Sequence, residues 1–542
     1  MRFIFVSGGV ISGLGKGITV ASISLLLKSR GYRVAPVKCD AYVNIDAGTI
    51  RPQEHGEIFV CDDGIETDQD LGHYERFIEE PHSRANYITT GQIYQEVIRR
   101  ERAFEYEGED VEVVPHVPEE MIRRFKEAGK KMKADIVIIE IGGTVGEYQN
   151  ILFIEANRIM KVRDKEEVLH IHVGYLPTPP SIGEMKSKPV QTSVRTLNET
   201  GIQPDFIVGR AVKPLDRWRK ERLALFCNVP FEDIISNPDL ESIYEVPLFL
   251  EEQGFAERIL EKFGLRQRNK KDLKKWKNLV KRIKTTEKAG VKKVKIGMIS
   301  KYQKIDEFEL SDAYISVVEA IKHAAWANKV HPEIVWFDSE KIEREGTAGL
   351  EEIDGMIVPQ GWGSRGVEGK IRAIQFAREN KVPYLGLCFG MQMAVIEYAR
   401  NVLGLKNANS TEASSRTKYP VIHIMPDQKK YLEKHQYGGT IRLGAWPCRL
   451  AKGTIVGKAY GKIKISERHR HRYEFNNRYR QRFEKKGLVI SGSSPDGKLV
   501  EAIELSQKDH PFFVGTQFHP EYKSRPLNPH PLFLGLIKAA IA

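Results

Sequence analysis

The chain begins 1-MRFIFVSGGVISGLGKGIT-19, and how this stretch is read decides the fold of everything after it. Phe3, Ile4, Phe5 and Val6 make a short apolar run of strand type. Gly8, Gly9, Gly13, Gly15 and Gly17 follow, set around Lys16, and "ITVASISLLLKSRGY" then carries a helical pattern. Strand, glycine loop and helix in that order form an anion cradle: backbone N–H groups of the loop and of the helix N-terminus point at a phosphate, and a lysine adds a point charge. The spacing is not that of a Walker A loop, which has four residues between its first glycine and its Gly-Lys pair, then Ser or Thr. Here five residues separate Gly9 from Gly15, and Gly17 follows Lys16. A bound metal must then take its ligands from Thr19 or from carboxylates further along the chain.

Two carboxylates qualify. Glu140 ends the apolar run "DIVIIEI" (135–141), where a charge is costly unless it is paired or bound to metal. Asp70 lies in the acidic stretch "DDGIETDQDLGHYERF" (62–77). A hard Mg²⁺ held by one or two carboxylates plus phosphate oxygens accounts for both. Beyond them, "GEMKSKPVQTSV" (183–194) sets Lys186 and Lys188 after a proline-rich turn, a place for a second polyphosphate.

At 542 residues the chain is too long for one core, and its 41% hydrophobic and 29% charged composition is that of an ordinary soluble protein. No run is long and apolar enough to cross a bilayer, which speaks against a membrane role. The five cysteines are scattered without metal-ligand spacing, in keeping with a reducing cytoplasm. Much of the net charge of +12 lies in residues 266–295, where Leu273, Trp276, Leu279, Val280 and Ile283 recur at near-helical spacing. This reads as an amphipathic linker helix with a basic outer face. No aromatic-interleaved reader motif accompanies it, so nucleic acid is not an expected partner. The linker divides the chain into 1–265, 266–293 and 294–542. On each side, apolar strands alternate with helical patterns ("VLHIHV" 168–173 and "DFIVG" 205–209; then "VKIGMI" 294–299, "EIVWF" 333–337, "DGMIVP" 354–359 and "VPYLGL" 382–387). Such alternation predicts an α/β protein with two doubly wound parallel sheets, whose ligands sit beyond the carboxyl ends of the strands.

In the second half, "YLGLCFGMQMAVIEYAR" places Cys388 between a strand and a helix, flanked by Gly386 and Gly390. Small neighbours permit the sharp turn that exposes a nucleophile, and a helix N-terminus favours the thiolate. "FFVGTQFHPEY" offers His519 and Glu521, i and i+2 at a strand end, so that the carboxylate orients the imidazole that deprotonates Cys388. The pair His469 and His471 in "ERHRHRYEFNN" is flanked by arginines, which argues for a structural or positioning role over metal binding.

The stretches "GGVISGLGKGITVAS", "DAYVNIDAGTIRPQEHGEIFV", "DGIETDQDLGHYERF", "EIGGTVGE", "GEMKSKPVQTSV" and "LFCNVP" run in order through the first half, which resembles the synthase domain of the CTP synthase family. The Cys…His-Pro-Glu pattern is similar to the class I glutamine amidotransferases, of flavodoxin-like fold. The resemblance implies a P-loop-like ATP-dependent synthase domain joined to a glutaminase, with Mg²⁺ and ATP. Gly13, Leu14, Gly15, Lys16, Gly17 and Ile18 would bind ATP, Lys16 with a catalytic role, and Asp70 and Glu140 the metal. Ser12, Glu147, Tyr148, Gln149, Lys186, Ser187, Lys188, Pro189, Val190, Gln191 and Arg222 would hold the UTP acceptor. Gly361, Phe389, Gln392, Glu412 and Arg472 would bind glutamine, and His55 lies at a family position near the passage for ammonia. The resemblance also implies a homotetramer, activation by GTP, inhibition by CTP and a cytoplasmic location.

The acceptor end departs from the family pattern. Glu147-Tyr148-Gln149 stands for Asp-Ile-Glu, Ser187 and Val190 for threonines, Arg222 for a lysine, and Ala41 and Ala47 for prolines. A paralogue that aminates another phosphate-bearing acceptor, such as a modified pyrimidine, is therefore the alternative to UTP. A non-catalytic, nucleotide-gated scaffold is a third reading, opposed by the intact catalytic residues. In the glutaminase half Gln360 replaces the first glycine of Pro-Gly-Gly-Phe-Gly. The expectation is that it lacks the backbone freedom an oxyanion-hole residue needs, and so slows glutamine hydrolysis.

Overall fold

The computed structural model describes residues 1–163, 167–301, 304–305, 308–309, 311–434 and 438–542. It forms two compact units, one of residues 1–46 and 70–280, the other of residues 47–69 and 281–542. The short segment 47–69 thus folds with the second unit, although it lies within the first half of the sequence.

The first unit is built on a seven-stranded sheet of β1 (Arg2–Gly9), β2 (Val34–Asp40), β3 (Tyr87–Thr89), β4 (Ile136–Ile141), β5 (Val168–Tyr175), β6 (Phe206–Ala211) and β7 (Ile234–Pro238). The spatial order is β3-β2-β4-β1-β5-β6-β7 and every pairing is parallel. The strands are almost wholly buried along their length, as parallel strands covered on both faces must be. Phe3, Phe5, Val37, Val137 and Ile139 join one apolar cluster, while Ile207, Ile234 and, from the helix Lys188–Glu199, Val190 and Val194 belong to another. Register matters for the chemistry: Glu140 lies opposite Val6 on one side and Lys38 on the other, so the charged groups share one end of the sheet.

The second unit holds a nine-stranded sheet of β8 (Lys293–Ser300), β9 (His331–Asp338), β10 (Gly355–Val358), β11 (Tyr384–Leu387), β12 (Arg442–Leu450), β13 (Lys464–His471), β14 (Leu488–Ser493), β15 (Val500–Leu505) and β16 (Phe513–Thr516). Its order is β9-β8-β10-β11-β16-β15-β14-β12-β13. The first five strands are parallel, in the 2-1-3-4-5 order of flavodoxin-like folds. The remaining four extend the sheet antiparallel. Val294, Ile296 and Met298 of β8 face one core and Ile299 the other, the period-two alternation of a strand between two layers.

The basic linker contains a helix, Lys274–Thr286, and its apolar stripe is buried: Leu273, Trp276, Leu279, Val280 and Ile283 are all under a tenth exposed. Trp276 packs on the rings of Phe77 and Tyr244 and donates its indole N–H to the Tyr244 carbonyl at 2.8 Å. Among the described residues no helix is long and apolar enough to cross a membrane.

Candidate active sites

In the first unit the glycine loop connects β1 to α1 (Lys16–Lys28). Gly13 and Gly15 take left-handed φ values of 71° and 76°, a conformation that L side chains rarely adopt. Gly17 is required for another reason: a Cβ there would lie 1.9 Å from an oxygen of Asp70. Ser12 and Gly13 are exposed, Leu14 is buried, and Ile18 is half-buried beside the loop. The Lys16 side chain folds back over Gly8 and donates to the Gly143 carbonyl at 2.9 Å. Burial lowers its pKa, with Glu140 opposing.

Asp70 opens α2 (Asp70–Ile78), and Glu140 lies near the end of β4. Both are bonded by Lys38, near the end of β2: its ammonium donates to Asp70, to Glu140 at 3.1 Å, and stands 3.8 Å from Asp40. Glu140 also accepts from the Tyr74 hydroxyl. Burial, reinforced by Asp70, pushes the Glu140 carboxyl up to about 7 against the pull of Lys38. Two carboxylates converging on one ammonium at the mouth of a phosphate loop form an all-oxygen donor set that fits Mg²⁺. Lys38 was missed in the sequence, because a lone lysine in "VAPVKCD" carries no motif. Arg210 was missed as well; its guanidinium stands 3.9 Å from a Cβ position on Gly15. Thr19, by contrast, spends its hydroxyl on the Gly15 carbonyl of its own helix at 2.9 Å.

Of the expected acceptor residues, Ser12, Glu147, Tyr148, Gln149 and Lys188 are exposed. Glu147 reaches back beside Gly143, while Tyr148 is 94% exposed and Gln149 is exposed. Lys186 pairs with Glu184, Ser187 accepts from Gln191 at 3.0 Å, and Lys188 and Pro189 start α3 (Lys188–Glu199). Arg222 lies over the rings of Trp218 and Phe226. The Val190 side chain is fully buried with Leu176, Met185 and Val194, because the inward stripe of this amphipathic helix begins there.

In the second unit Pro359, Cys388 and Gln517 follow the ends of the adjacent strands β10, β11 and β16. Cys388 takes φ 51° and ψ −97° and precedes α4 (Phe389–Asn401), the sharp elbow the flanking glycines predicted. A Cβ on Gly390 would lie 2.0 Å from the Val358 carbonyl, so only glycine lets the helix come this close. The Cys388 amide is held by the Thr516 carbonyl at 2.7 Å. Its sulfur lies 3.7 Å from the Arg470 carbonyl and accepts from Gln517 at 3.5 Å.

His519 Nδ1 meets Glu521 at 2.7 Å, and the imidazole stacks on Tyr522 at 5.1 Å. Strand alternation does not create this pair, as the sequence reading had it: β16 ends at Thr516, and His519 precedes the single turn Pro520–Lys523 that carries Glu521. Burial drives the His519 pKa down, but Glu521 and Cys388 outweigh it and raise it to about 10. The opposite Nε2 atom is buried and not bonded to Glu521, and Cys388 is among the groups that raise the imidazole pKa, in keeping with a thiol–imidazole pair. Elsewhere burial alone pushes the Cys227 thiol up to about 12, the mark of an inert cysteine.

Around this pair, Gln392 donates to the Tyr473 carbonyl at 2.9 Å and to Gln517 at 3.3 Å. Glu412 accepts from the Gly363 amide at 2.7 Å, its pKa raised by burial. Arg472 donates to Gln428 and Thr440 at 3.1 and 2.9 Å. His469 and His471 are buried, joined at 3.1 Å, with pKa values held well below normal by burial and by Arg442. Gln517 was the residue the sequence reading passed over, although it stands two places before His519. The φ of Gln360 lies outside the left-handed region, so the expected backbone penalty at that position does not arise.

Family comparisons meet both units. A model of the CTP synthase N-terminus matches residues 2–265, and a class-I glutamine amidotransferase model matches residues 309–539. A CTP synthase of Caldanaerobacter subterraneus subsp. tengcongensis is 52% identical over 542 residues, covering 100% of this chain and 98% of its own length. One of Carboxydothermus hydrogenoformans is also 52% identical at the same coverage. One of Acaryochloris marina is 49% identical, covering 100% of this chain and 95% of its own. The solved glutaminase domain of a Trypanosoma brucei CTP synthase with bound acivicin is 37% identical, with TM-score 0.42, over 46% of this chain and 94% of that one.

Proposed function

The chain belongs to the CTP synthase family, and from that premise we propose that it aminates UTP to CTP, using ATP for activation and glutamine as the nitrogen source. What carries the reading is the end-to-end match to relatives named CTP synthase at 49% to 52% identity, which spans both units. We assign synthesis to residues 1–265 and glutamine hydrolysis to residues 294–542, with 266–293 as the linker.

Cys388, deprotonated by His519, attacks the carboxamide carbon of glutamine, and Glu521 holds the imidazole in the orientation and charge state this needs. Backbone N–H groups of Gly361 and Phe389 receive the oxyanion, and Gln392 braces the elbow. Arg472 and Glu412 take the carboxylate and ammonium ends of glutamine, opposite charges met by opposite charges. Collapse of the oxyanion leaves a glutamyl thioester and frees ammonia; water then releases glutamate.

The carbonyl oxygen O4 of UTP is a poor leaving group until it carries the γ-phosphoryl group of ATP. The 13–18 loop cradles the phosphates and Lys16 and Lys38 offset the charge that builds during transfer. Mg²⁺ would be held by Asp70 and Glu140, where it would neutralise phosphate oxygens. Ammonia adds at C4 of the pyrimidine, phosphate departs, and loss of a proton gives CTP. The acceptor is held by Ser12, residues 147–149, residues 186–191 through the backbone at Val190, and Arg222. His55 is assigned to the path of ammonia. GTP activation, CTP inhibition, a homotetramer and a cytoplasmic location complete the reading.

The test is direct. The protein is incubated with ATP, Mg²⁺, UTP and either glutamine or ammonia, and CTP is measured. CTP from both nitrogen sources is expected. No CTP from either, with ATP turnover on another acceptor, would replace UTP by that acceptor.

A further inference from the structure

Gln360 stands where glycine was expected, and its side chain is engaged. It follows β10 by two residues and precedes Gly361, the assigned oxyanion donor. Its Nε2 donates to Glu57 at 3.5 Å, while its Oε1 is buried without a partner among the described residues. Glu57 belongs to the segment 47–69 and is 3% exposed. Its second oxygen accepts from the Ser316 amide at 3.0 Å and its own amide donates to the Asp312 carbonyl at 3.0 Å, so Glu57 is anchored on the glutaminase fold.

The same segment touches the other sides of the cysteine. Ile58 accepts at 2.9 Å from the hydroxyl of Tyr522, the ring stacked on His519. Glu66 accepts at 2.7 Å from Arg470, whose carbonyl faces the Cys388 sulfur and whose guanidinium lies 5.4 Å from the Trp362 ring. Glu57, Ile58 and Glu66 thus each contact a group one step from Gly361, His519 or Cys388. One peptide bond past Gln69, the chain enters Asp70, a carboxylate of the phosphoryl-transfer cluster.

We infer that Gln360 is a positioning residue, whose carboxamide ties the oxyanion loop to Glu57 so that segment 47–69 sets the rate of glutamine hydrolysis. The inference rests on the reading of Cys388 as the glutaminase nucleophile. Occupancy at Asp70 then has a covalent route to the loops around Cys388, and Gln360 is the side chain at the far end of that route. A hydrophobic residue at 360 keeps the ordinary backbone and breaks only the tether.

The experiment measures glutamine hydrolysis by the full chain with and without ATP, Mg²⁺ and UTP. In the wild type these ligands raise kcat about fivefold or more, the lower range of ordinary site-to-site coupling. In Gln360→Leu the stimulation falls below about twofold, with KM for glutamine little changed and ammonia-driven CTP synthesis as internal control. Gln360→Ala serves as second variant and shows the same loss. Stimulation retained in either folded variant overturns the inference, as does a wild type whose hydrolysis ignores the ligands. A wild type that hydrolyses no glutamine takes down the glutaminase reading along with it.

Discussion

The two units solve the same placement problem with opposite economies. Each puts its chemistry beyond the carboxyl ends of parallel strands, where the backbone N–H groups of following loops and helices are free to meet ligands. In the first unit the reacting groups are dispersed. Lys16 follows β1, Lys38 is in β2, Asp70 opens α2 and Glu140 is in β4, and they hold one another through charge. In the second, a single strained residue and a single turn suffice, since Cys388 sits on the elbow and His519 and Glu521 lie two residues apart. Phosphoryl transfer asks for charge balanced over a polyanion, which takes several elements; acyl transfer asks for one nucleophile and one base.

The comparison breaks most sharply at Cys388. Cys388→Ala should lower glutamine-driven CTP formation by about 10⁴-fold or more and leave the ammonia-driven rate within twofold, measured as CTP produced with each nitrogen source. Loss of both would mean that the units do not divide the work. Lys16→Met should act on the other side, lowering CTP from either nitrogen source by about 10³-fold, because it removes a cation from the transferring phosphoryl group. Lys38→Met should do the same by about 10²-fold. A Lys38 variant that synthesised CTP normally would show that its contacts with Asp70 and Glu140 only stabilise the fold.

The sequence revealed the second site more completely than the first, for reasons that follow from this contrast. Cys388 with its glycines and His519 with Glu521 are short-range patterns, readable without knowing the sheet order. Glu140 was read from the cost of burying a charge and Asp70 from an acidic run downstream of the phosphate loop, but Lys38 lies in a strand with no periodic or motif signal. Only the parallel register that sets it opposite Glu140 shows its place. The nine strands expected were short, continuous apolar runs. The three-residue β3, β12 with its interrupting glycine, proline and arginines, and the polar β13 carried no such run. That the Val190 side chain turns inward on α3 carried no signal either, because a motif match says nothing about which face of a helix is buried. The packing of segment 47–69 with the second unit was out of reach for the same reason, since it depends on contacts hundreds of residues apart in sequence.

The smallest expected effect concerns pH, and here the units part company again. Each holds a buried histidine pair, His170 and His172 in the first, His469 and His471 in the second, all at most 1% exposed. Burial drives His172 down to about 3 and the other three well below normal. An unfolded histidine takes up its proton near pH 6.5, so from there down to about pH 3 the unfolded chain binds more protons than the folded one. Stability must therefore fall as pH falls, by at most about 1.4 kcal/mol per pH unit for each histidine. This acid limb is common to both units. His519 has the opposite sign: its folded pKa of about 10 exceeds the unfolded value, so its contribution is complete below pH 6.5 and is lost as pH rises through 10. Glu140 of the first unit has the same sign, but its contribution is lost by about pH 7, so the loss followed toward pH 10 is that of the Cys388–His519 pair. Thermal unfolding of the full chain from pH 4 to 10 should show both limbs. His519→Gln should flatten the alkaline one and leave the acid one in place; an alkaline limb unchanged in that variant would mean that the imidazolium is not held by Glu521 and Cys388.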